Sequence, residues 1–279
     1  MSITLPASLK GKVIAITGAG GVICGEMARC LASAGAKVAL LDLSFDKANE
    51  VAASIVDDGF VAKAYGCNVL KKDDLARVHA LIKEDFGPID ILINGAGGNS
   101  PKATSIDEYL NEDNLDASFL GLKQEGIEFV FDLKILGTFL PCQEFIEDML
   151  GKSGCSILNI SSMNAFTPLT KIPAYSAAKA GVSNFTKWLA VHLSKSNIRV
   201  NAIAPGFLVT AQNKGMLFDG QGNPTPRTNK ILSATPMGRF GEPSELLGAT
   251  LFLLDEDASS FITGVVLPID GGFSSYSGV

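Results

Sequence analysis

Apolar, β-rich runs alternate with helix-patterned segments along almost the whole chain, and this alternation constrains the fold more than any single motif. Residues 13–17, 37–41, 61–65, 89–93, 156–160, 199–204 and 265–269 read as strands. Residues 25–34, 45–57, 73–86, 129–150, 174–194 and 244–254 read as helices. Strands spaced by helical patterns imply βαβ units, and therefore a mostly parallel sheet with helices on both faces. No linker, low-complexity tract or internal repeat divides the 279 residues, of which 47% are hydrophobic. The expected fold class is α/β: a single doubly wound domain spanning 1–279, large enough for one full core.

Composition removes several functions. A net charge of −6 and a pI near 5.0 argue against a nucleic-acid partner, which requires a basic face. No apolar run approaches the ~18 residues of a membrane span. The opening MSITLPASLKGK has no apolar signal core, so the expected location is the cytoplasm. Cys24, Cys30, Cys67, Cys142 and Cys155 are scattered, odd in number and without a C-x-x-C pair. With only two histidines, His79 and His192, neither a disulfide framework nor a metal site is expected.

The first strand–helix turn is ITGAGGVICG, residues 16–25. Gly18, Gly20 and Gly21 let backbone approach a ligand closely, and the helix start at Val22 and Ile23 offers unpaired N–H groups to an anion such as a pyrophosphate. Asp42 ends the second strand about 20 residues later, followed by Leu43. A carboxylate there accepts from a ribose diol and repels a 2′-phosphate. No Arg or Lys lies among residues 18–25 to welcome that phosphate, so the expected cofactor is NAD rather than NADP. The competing reading of Asp42 is an N-cap for the helix that follows.

Further loops fall at strand ends on the same rim, where ligands bind open α/β sheets. Asn68 and Val69 follow the third strand, where Asn68 is placed to meet an adenine edge. Asn94, Ala96 and Gly97 follow the fourth, leaving room for a ribose. Pro205 and Gly206 close the sixth.

Residues 160–180, ISSMNAFTPLTKIPAYSAAKA, carry the chemistry. Tyr175 and Lys179 lie at i and i+4 on one helix face. A phenol of ordinary pKa about 10 is a poor acid or base at neutral pH. A nearby ammonium favours the phenolate and draws the value toward a working range. Ser162 ends the preceding strand and can hold a substrate oxygen beside the phenol. Tyr-x-x-x-Lys also arises by chance on amphipathic helices, where the lysine is simply solvated.

Together these residues resemble the short-chain dehydrogenase/reductase family over nearly the whole chain. The markers are TGAGG at 17–21, NGAG at 94–97, NISS at 159–162, YSAAK at 175–179, RVNAIAPG at 199–206 and DGG at 270–272. The resemblance implies a Rossmann-type sheet of about seven strands and a homotetramer. It implies that Tyr175 is the acid/base, that Lys179 lowers its pKa and binds the nicotinamide ribose, and that Ser162 positions substrate. The nicotinamide carboxamide would meet the segment after Gly206, at Leu208. Within the family the chain is similar to a bacterial subgroup of D-mannonate oxidoreductases (fructuronate reductases), in GGVIC, SSMNAFTPLTKIPAY, TPMGRFGE and DGGFSSYSGV. That implies reversible hydride transfer between D-fructuronate and D-mannonate, with gluconate and other keto-sugar dehydrogenases as neighbouring activities.

The chain also departs from the family pattern. Val22 and Cys24 stand where the glycine loop usually carries glycine, and Asn68 where Asp is usual. Lys134 stands at the usual Asn, whose role by the resemblance is to hold a relay water beneath the lysine. Lys134 is therefore a candidate for relaying differently, for swinging out to solvent, or for marking a weakly active cofactor-binding relative.

Two segments exceed what a sheet connection needs. Residues 98–126 are acidic and read either as a solvated excursion or as a rim or subunit contact. Residues 207–236 read as a substrate lid rich in Gly and Pro. A sugar acid needs a cation for its carboxylate: Arg227 is the first candidate and Lys214 the second. Asn164 is placed to bond a sugar hydroxyl. Phe207 is kept among the substrate candidates, although, like Met163 and Phe166, it reads first as packing. The partner is thus a small sugar acid, with no nucleic acid and no membrane.

Overall fold

Seven strands run parallel in one sheet: β1 (Val13–Thr17), β2 (Lys37–Asp42), β3 (Val61–Gly66), β4 (Ile91–Asn94), β5 (Cys155–Ile160), β6 (Ile198–Pro205) and β7 (Val266–Ile269), in the order β3-β2-β1-β4-β5-β6-β7. The structure is a computed structural model that describes residues 5–210 and 213–278, apart from the side chain of Met216. Residues 211 and 212 of the expected lid lie outside the described residues.

Among the described residues the α-helices are α1 (Val22–Ser33), α2 (Phe45–Asp57), α3 (Lys72–Asp85), α4 (Gln124–Phe131), α5 (Gly137–Phe145), α6 (Pro173–Leu193), α7 (Lys214–Leu217), α8 (Pro226–Ser233), α9 (Leu247–Leu254) and α10 (Glu256–Ser259). Successive strand residues point to opposite faces. Ile14 and Ile16 pack with Met27 and Leu31 of α1, Ile55 of α2 and Leu251 of α9. Val13 and Ala15 face the other way, with Ile82 of α3, Phe145 of α5 and Leu189 of α6. Both faces are covered, which is why the strands are unbroken runs of Val, Ile, Leu and Ala rather than alternating patterns. Each large apolar side chain buried this way stabilises the fold by about 1.5–3 kcal/mol.

The strand order reverses between β1 and β4, so their carboxyl ends open a crevice at the point where doubly wound sheets bind ligands. Thr17 and Asn94 are register partners there, and Asn94 pairs in turn with Asn159 of β5.

The helix expected over 129–150 is not continuous. It begins earlier, at Gln124, opens into a π-helical turn at Asp132–Leu136, resumes as α5 and ends in a 3-10 turn at Ile146–Met149. Pro141, inside α5, has no N–H to give the Gly137 carbonyl, so an unbroken α-helix is disfavoured here. Such π turns favour functional sites because they re-aim side chains. The first helix starts at Val22 rather than residue 25, because Gly21 already serves as its N-cap. Among the described residues no helix is long and apolar enough to cross a membrane. Nor is any group of three or more His, Cys, Asp or Glu side chains among them placed to hold a metal ion.

Candidate active site

The glycine turn is shaped by close approach to the loop after β4. Gly18 has φ +69°, and a Cβ there would lie 2.8 Å from the Ala96 Cα. The Thr17 hydroxyl accepts the N–H groups of Gly95 and Ala96, each at 3.1 Å, which locks the two loops together. Gly21 caps α1 without a side-chain bond, so the first-turn N–H groups from Val22 and Ile23 onward are left for an anion. The cradle thus fits a dinucleotide's phosphates.

Asp42 serves the same cradle. One carboxylate oxygen accepts the Gly20 N–H at 3.0 Å and the other the Ser44 N–H at 2.9 Å. Ser44, not Asp42, is the N-cap of α2, so the capping alternative is set aside. Each oxygen keeps a lone pair for a ribose hydroxyl. Leu43 is largely exposed beside it, while Val69 is buried. The Asn68 side-chain oxygen accepts the Leu70 N–H at 3.0 Å, and its own N–H donates to Asp74 at 2.7 Å, which braces the turn into α3. Gly206 donates to the Ile269 carbonyl at 2.9 Å, and Leu208 bridges to Gly241, which anchors the start of the lid. These turns lie at the carboxyl ends of neighbouring strands, while the Asn94 side chain is buried beneath them and donates to Asn159 at 2.9 Å.

The Ser162 hydroxyl is placed where it favours the ionised form of Tyr175, and it also accepts the Asn164 N–H at 3.3 Å. Ser162 follows β5, and Tyr175 sits in the first turn of α6, begun by Pro173 at its N1 position. The neighbouring Ser161 is structural: its hydroxyl meets that of Ser183 on α6 at 2.6 Å. The expected lowering of the Tyr175 pKa is not met. Burial raises it, and the Ser162 hydroxyl offsets only part of that rise. Lys179 lies 6.0 Å from the ring centroid and donates to the Ile160 carbonyl. Burial and the nearby Lys134 charge both weaken its hold on its own proton.

Lys134 does not swing out to solvent. It is 6% exposed, on the π-helical turn, with its ammonium 4.9 Å from the Tyr175 ring centroid. Burial lowers its pKa to about 8. Its Nζ occupies the space a Cβ would take at Gly97, so a side chain there would require the end of Lys134 to move. Cys24 is likewise accommodated by Gly95: a Cβ on Gly95 would overlap the Cys24 Sγ. That contact explains how α1 tolerates a thiol where glycine was the expected residue.

The substrate candidates divide. Asn164 is buried, and its side-chain oxygen has no hydrogen-bond partner among the described residues. Met163 is buried as expected, and Phe207 packs edge-on against Phe273 at 5.3 Å. Phe166 is half exposed, so it does not pack as expected, lying on a surface turn after the 3-10 segment Met163–Ala165. Lys214 and Arg227 are exposed on α7 and α8 and make no ion pair among the described residues. The residue that joins the lid to the site's surroundings is Lys230, whose ammonium meets both oxygens of Glu108 at 2.7 and 2.6 Å. Ser105, in the same acidic segment, donates its N–H to the Lys171 carbonyl just before α6. Residues 98–126 are therefore tied to α8 and to the start of α6 rather than free in solvent. Neither Glu108 nor Lys230 carries a local signal, since they are 122 residues apart. The same holds for Thr17 and for the buried chain Asn94–Asn159–Thr186.

Known proteins match this arrangement closely. A protein-family model described as "Enoyl-(Acyl carrier protein) reductase" matches residues 18–274. A Haemophilus influenzae protein named "Uncharacterized oxidoreductase" is 60% identical over 100% of this chain and 99% of its own length. A crystal structure from that organism, provisionally named a D-mannonate oxidoreductase and holding NAD, superposes with a TM-score of 0.93 at 60% identity, over 98% of this chain and 99% of that one. The 2-dehydro-3-deoxy-D-gluconate 5-dehydrogenase of Formosa agariphila is 32% identical, over 95% of this chain and 93% of its own. With the seven-stranded sheet, the glycine cradle and the Ser162–Tyr175–Lys179 cluster on one rim, these matches make the chain a member of the short-chain dehydrogenase/reductase family.

Proposed function

We propose that this oxidoreductase uses NAD to interconvert a ketone and a secondary alcohol on a sugar acid, with D-fructuronate and D-mannonate as the pair. The observation that carries the reading is the grouping of Ser162, Tyr175 and Lys179, with Lys179 6.0 Å from the Tyr175 ring centroid, beside the glycine cradle. The NAD held by the 60%-identical structure, the carboxylate of Asp42 at the ribose position and the absence of Arg or Lys from residues 18–25 support NAD over NADP. The provisional name of that structure supports the substrate. The Formosa relative supports a second reading, oxidation at C5 of a related deoxy-keto-gluconate.

The bound nicotinamide supplies the hydride. The remaining work falls to side chains. Tyr175 donates its phenolic proton to the oxygen that gains negative charge, and the Ser162 hydroxyl bonds the same oxygen. Burial of Tyr175 keeps it a phenol, ready to donate in the reductive direction. The unpartnered Asn164 oxygen is available to a sugar hydroxyl. We further infer a homotetramer in the cytoplasm. The five free cysteines support a reducing compartment, and the exposed apolar residues Leu136, Trp188 and Val191 support burial of the α5–α6 side against another copy.

The test is consumption of NADH by the purified protein with D-fructuronate, D-tagaturonate and 5-keto-D-gluconate, followed by absorbance. Fructuronate should be reduced fastest. Binding of NADH without oxidation by any of the three would refute the sugar-acid reading. Tyr175→Phe should lower kcat by about 100-fold or more while NADH fluorescence still reports binding. Surviving turnover would assign the proton to another group.

A further inference from the structure

Lys134 is a buried cation that the mechanism above leaves unused. It projects from the π-helical turn between α4 and α5, against Gly97 after β4 and over the ring of Tyr175. The groups that face it come from three elements. From α6 come Tyr175 and Lys179, and from α1 comes Cys24, whose thiol is pushed up to about 12 by burial and is thus neutral at physiological pH. The loop after β4 offers only backbone. The Asp42 carboxylate, whose charge also acts on Cys24, is held by the N–H groups of Gly20 and Ser44. Among the described residues neither lysine has a carboxylate partner: none of the ion pairs involves Lys134 or Lys179.

Two amines under one phenol ring, both desolvated and without an anion, do not both stay charged near neutral pH. We propose that Lys134 is a positioning residue that holds one proton jointly with Lys179 beneath the Tyr175 ring, so that the pair sets the pH range in which Tyr175 exchanges its own proton. Burial lowers Lys134 to about 8 and carries Lys179 well below its ordinary range, with the Lys134 charge as the second cause for Lys179. The arrangement accounts for two oddities at once: a lysine enclosed by glycine backbone, and a catalytic lysine whose ammonium is turned to the Ile160 carbonyl. The proposal rests on the reading of Tyr175 as the proton donor.

Lysine ε-carbon NMR on the isotopically labelled, cofactor-free protein tests it without any substrate. Two signals should titrate at least about two pH units below the surface lysines, which titrate near 10.4. In Lys134→Met, which keeps the length of the chain, the Lys179 signal should move up by about one unit or more. Two buried signals at the ordinary value, or a Lys179 midpoint that does not move, would overturn the proposal. The wild-type titration decides the first point even if Lys134→Met fails to fold. The second readout is the acid limb of kcat for mannonate oxidation, which needs the phenolate. In Lys134→Met the single proton passes to Lys179, so a cation remains beside the ring and that limb should not move to higher pH. A limb moved up by about one unit would mean that both lysines are charged in the wild type and would overturn the proposal, as would a raised KM for mannonate, which would make Lys134 a substrate contact. Absence of any turnover with sugar acids refutes the substrate reading alone, because the NMR titration stands independently of it.

Discussion

Residue 95 shows how a departure from a family pattern is absorbed. A thiol at position 24 fits only because the chain has no side chain at 95. Gly95→Ala places a methyl onto the buried Cys24 Sγ, so α1 or the loop after β4 must shift, at a cost of about 1–3 kcal/mol. Cys24→Ala in the same chain removes the sulfur and should restore part of the loss. The restoration is incomplete because the Thr17 carbonyl still stands 2.9 Å from the added Cβ. Urea unfolding of the four proteins in the cycle measures the coupling. A Gly95→Ala cost that is the same in both backgrounds would locate the strain elsewhere. The grouping of residues was legible in the chain where one short motif holds them, as with Tyr175 and Lys179 on α6. Compensating pairs such as Cys24 with Gly95, or Lys134 with Gly97, were not, because the partners meet only after the sheet has assembled.

Among the elements, the strands and most helices were legible because two-faced burial demands long apolar runs. The segment 124–149 was not. Its hydrophobic spacing is helical throughout, and only Pro141 hints at the π turn that aims Lys134 inward. What fastens this segment to the sheet is also nonlocal. His79 on α3 touches Glu144 at 2.9 Å and Asp148 at 2.8 Å, and Asp148 also takes the Lys83 ammonium at 2.8 Å and the Ile89 N–H at 2.9 Å. Burial alone would raise the Asp148 carboxyl, but Lys83, His79 and the Ile89 N–H together hold it below its usual value. A carboxyl depressed in the folded state contributes stability above its unfolded pKa, about 3.9, and loses that contribution as pH falls through the lower folded value. Asp148→Asn should therefore cost about 1.5–3 kcal/mol at pH 7. The deficit relative to wild type should shrink below about pH 4. Denaturant melts of both proteins across that range check it. A deficit that stays constant with pH would mean that the charge of Asp148 contributes nothing and that only its packing matters.

For the molecule as a whole, convergence of the loops on one rim follows from the parallel order of the sheet, whereas the proposed contacts between copies belong to its outer surface. A row of rings runs from the core under α5 and α6 out to the surface. Phe139 stacks on Phe185 at 3.7 Å, Phe185 lies 6.3 Å from Trp188, and Trp188 stacks on His192 at 4.8 Å. Trp188 and Val191 at the outer end of this row are 58% and 76% exposed. Apolar side chains clustered in this way on two adjacent helices are costly to leave in water and typical of a contact between copies. If the protein is a tetramer, light scattering should give about four times the 29.2 kDa of one chain. Val191→Glu tests whether this face is responsible. The side chain touches little of its own subunit, so the change should alter the stability of an isolated subunit by no more than about 0.5 kcal/mol. In an interface, however, it buries an unpaired carboxylate, and the assembly should fall to dimers or single chains. The α6 helix also carries Tyr175 and Lys179, so dissociation should slow turnover as well as lower the mass. A wild-type mass of 29.2 kDa would refute the tetramer, and an undiminished mass for Val191→Glu would move the interface to another face.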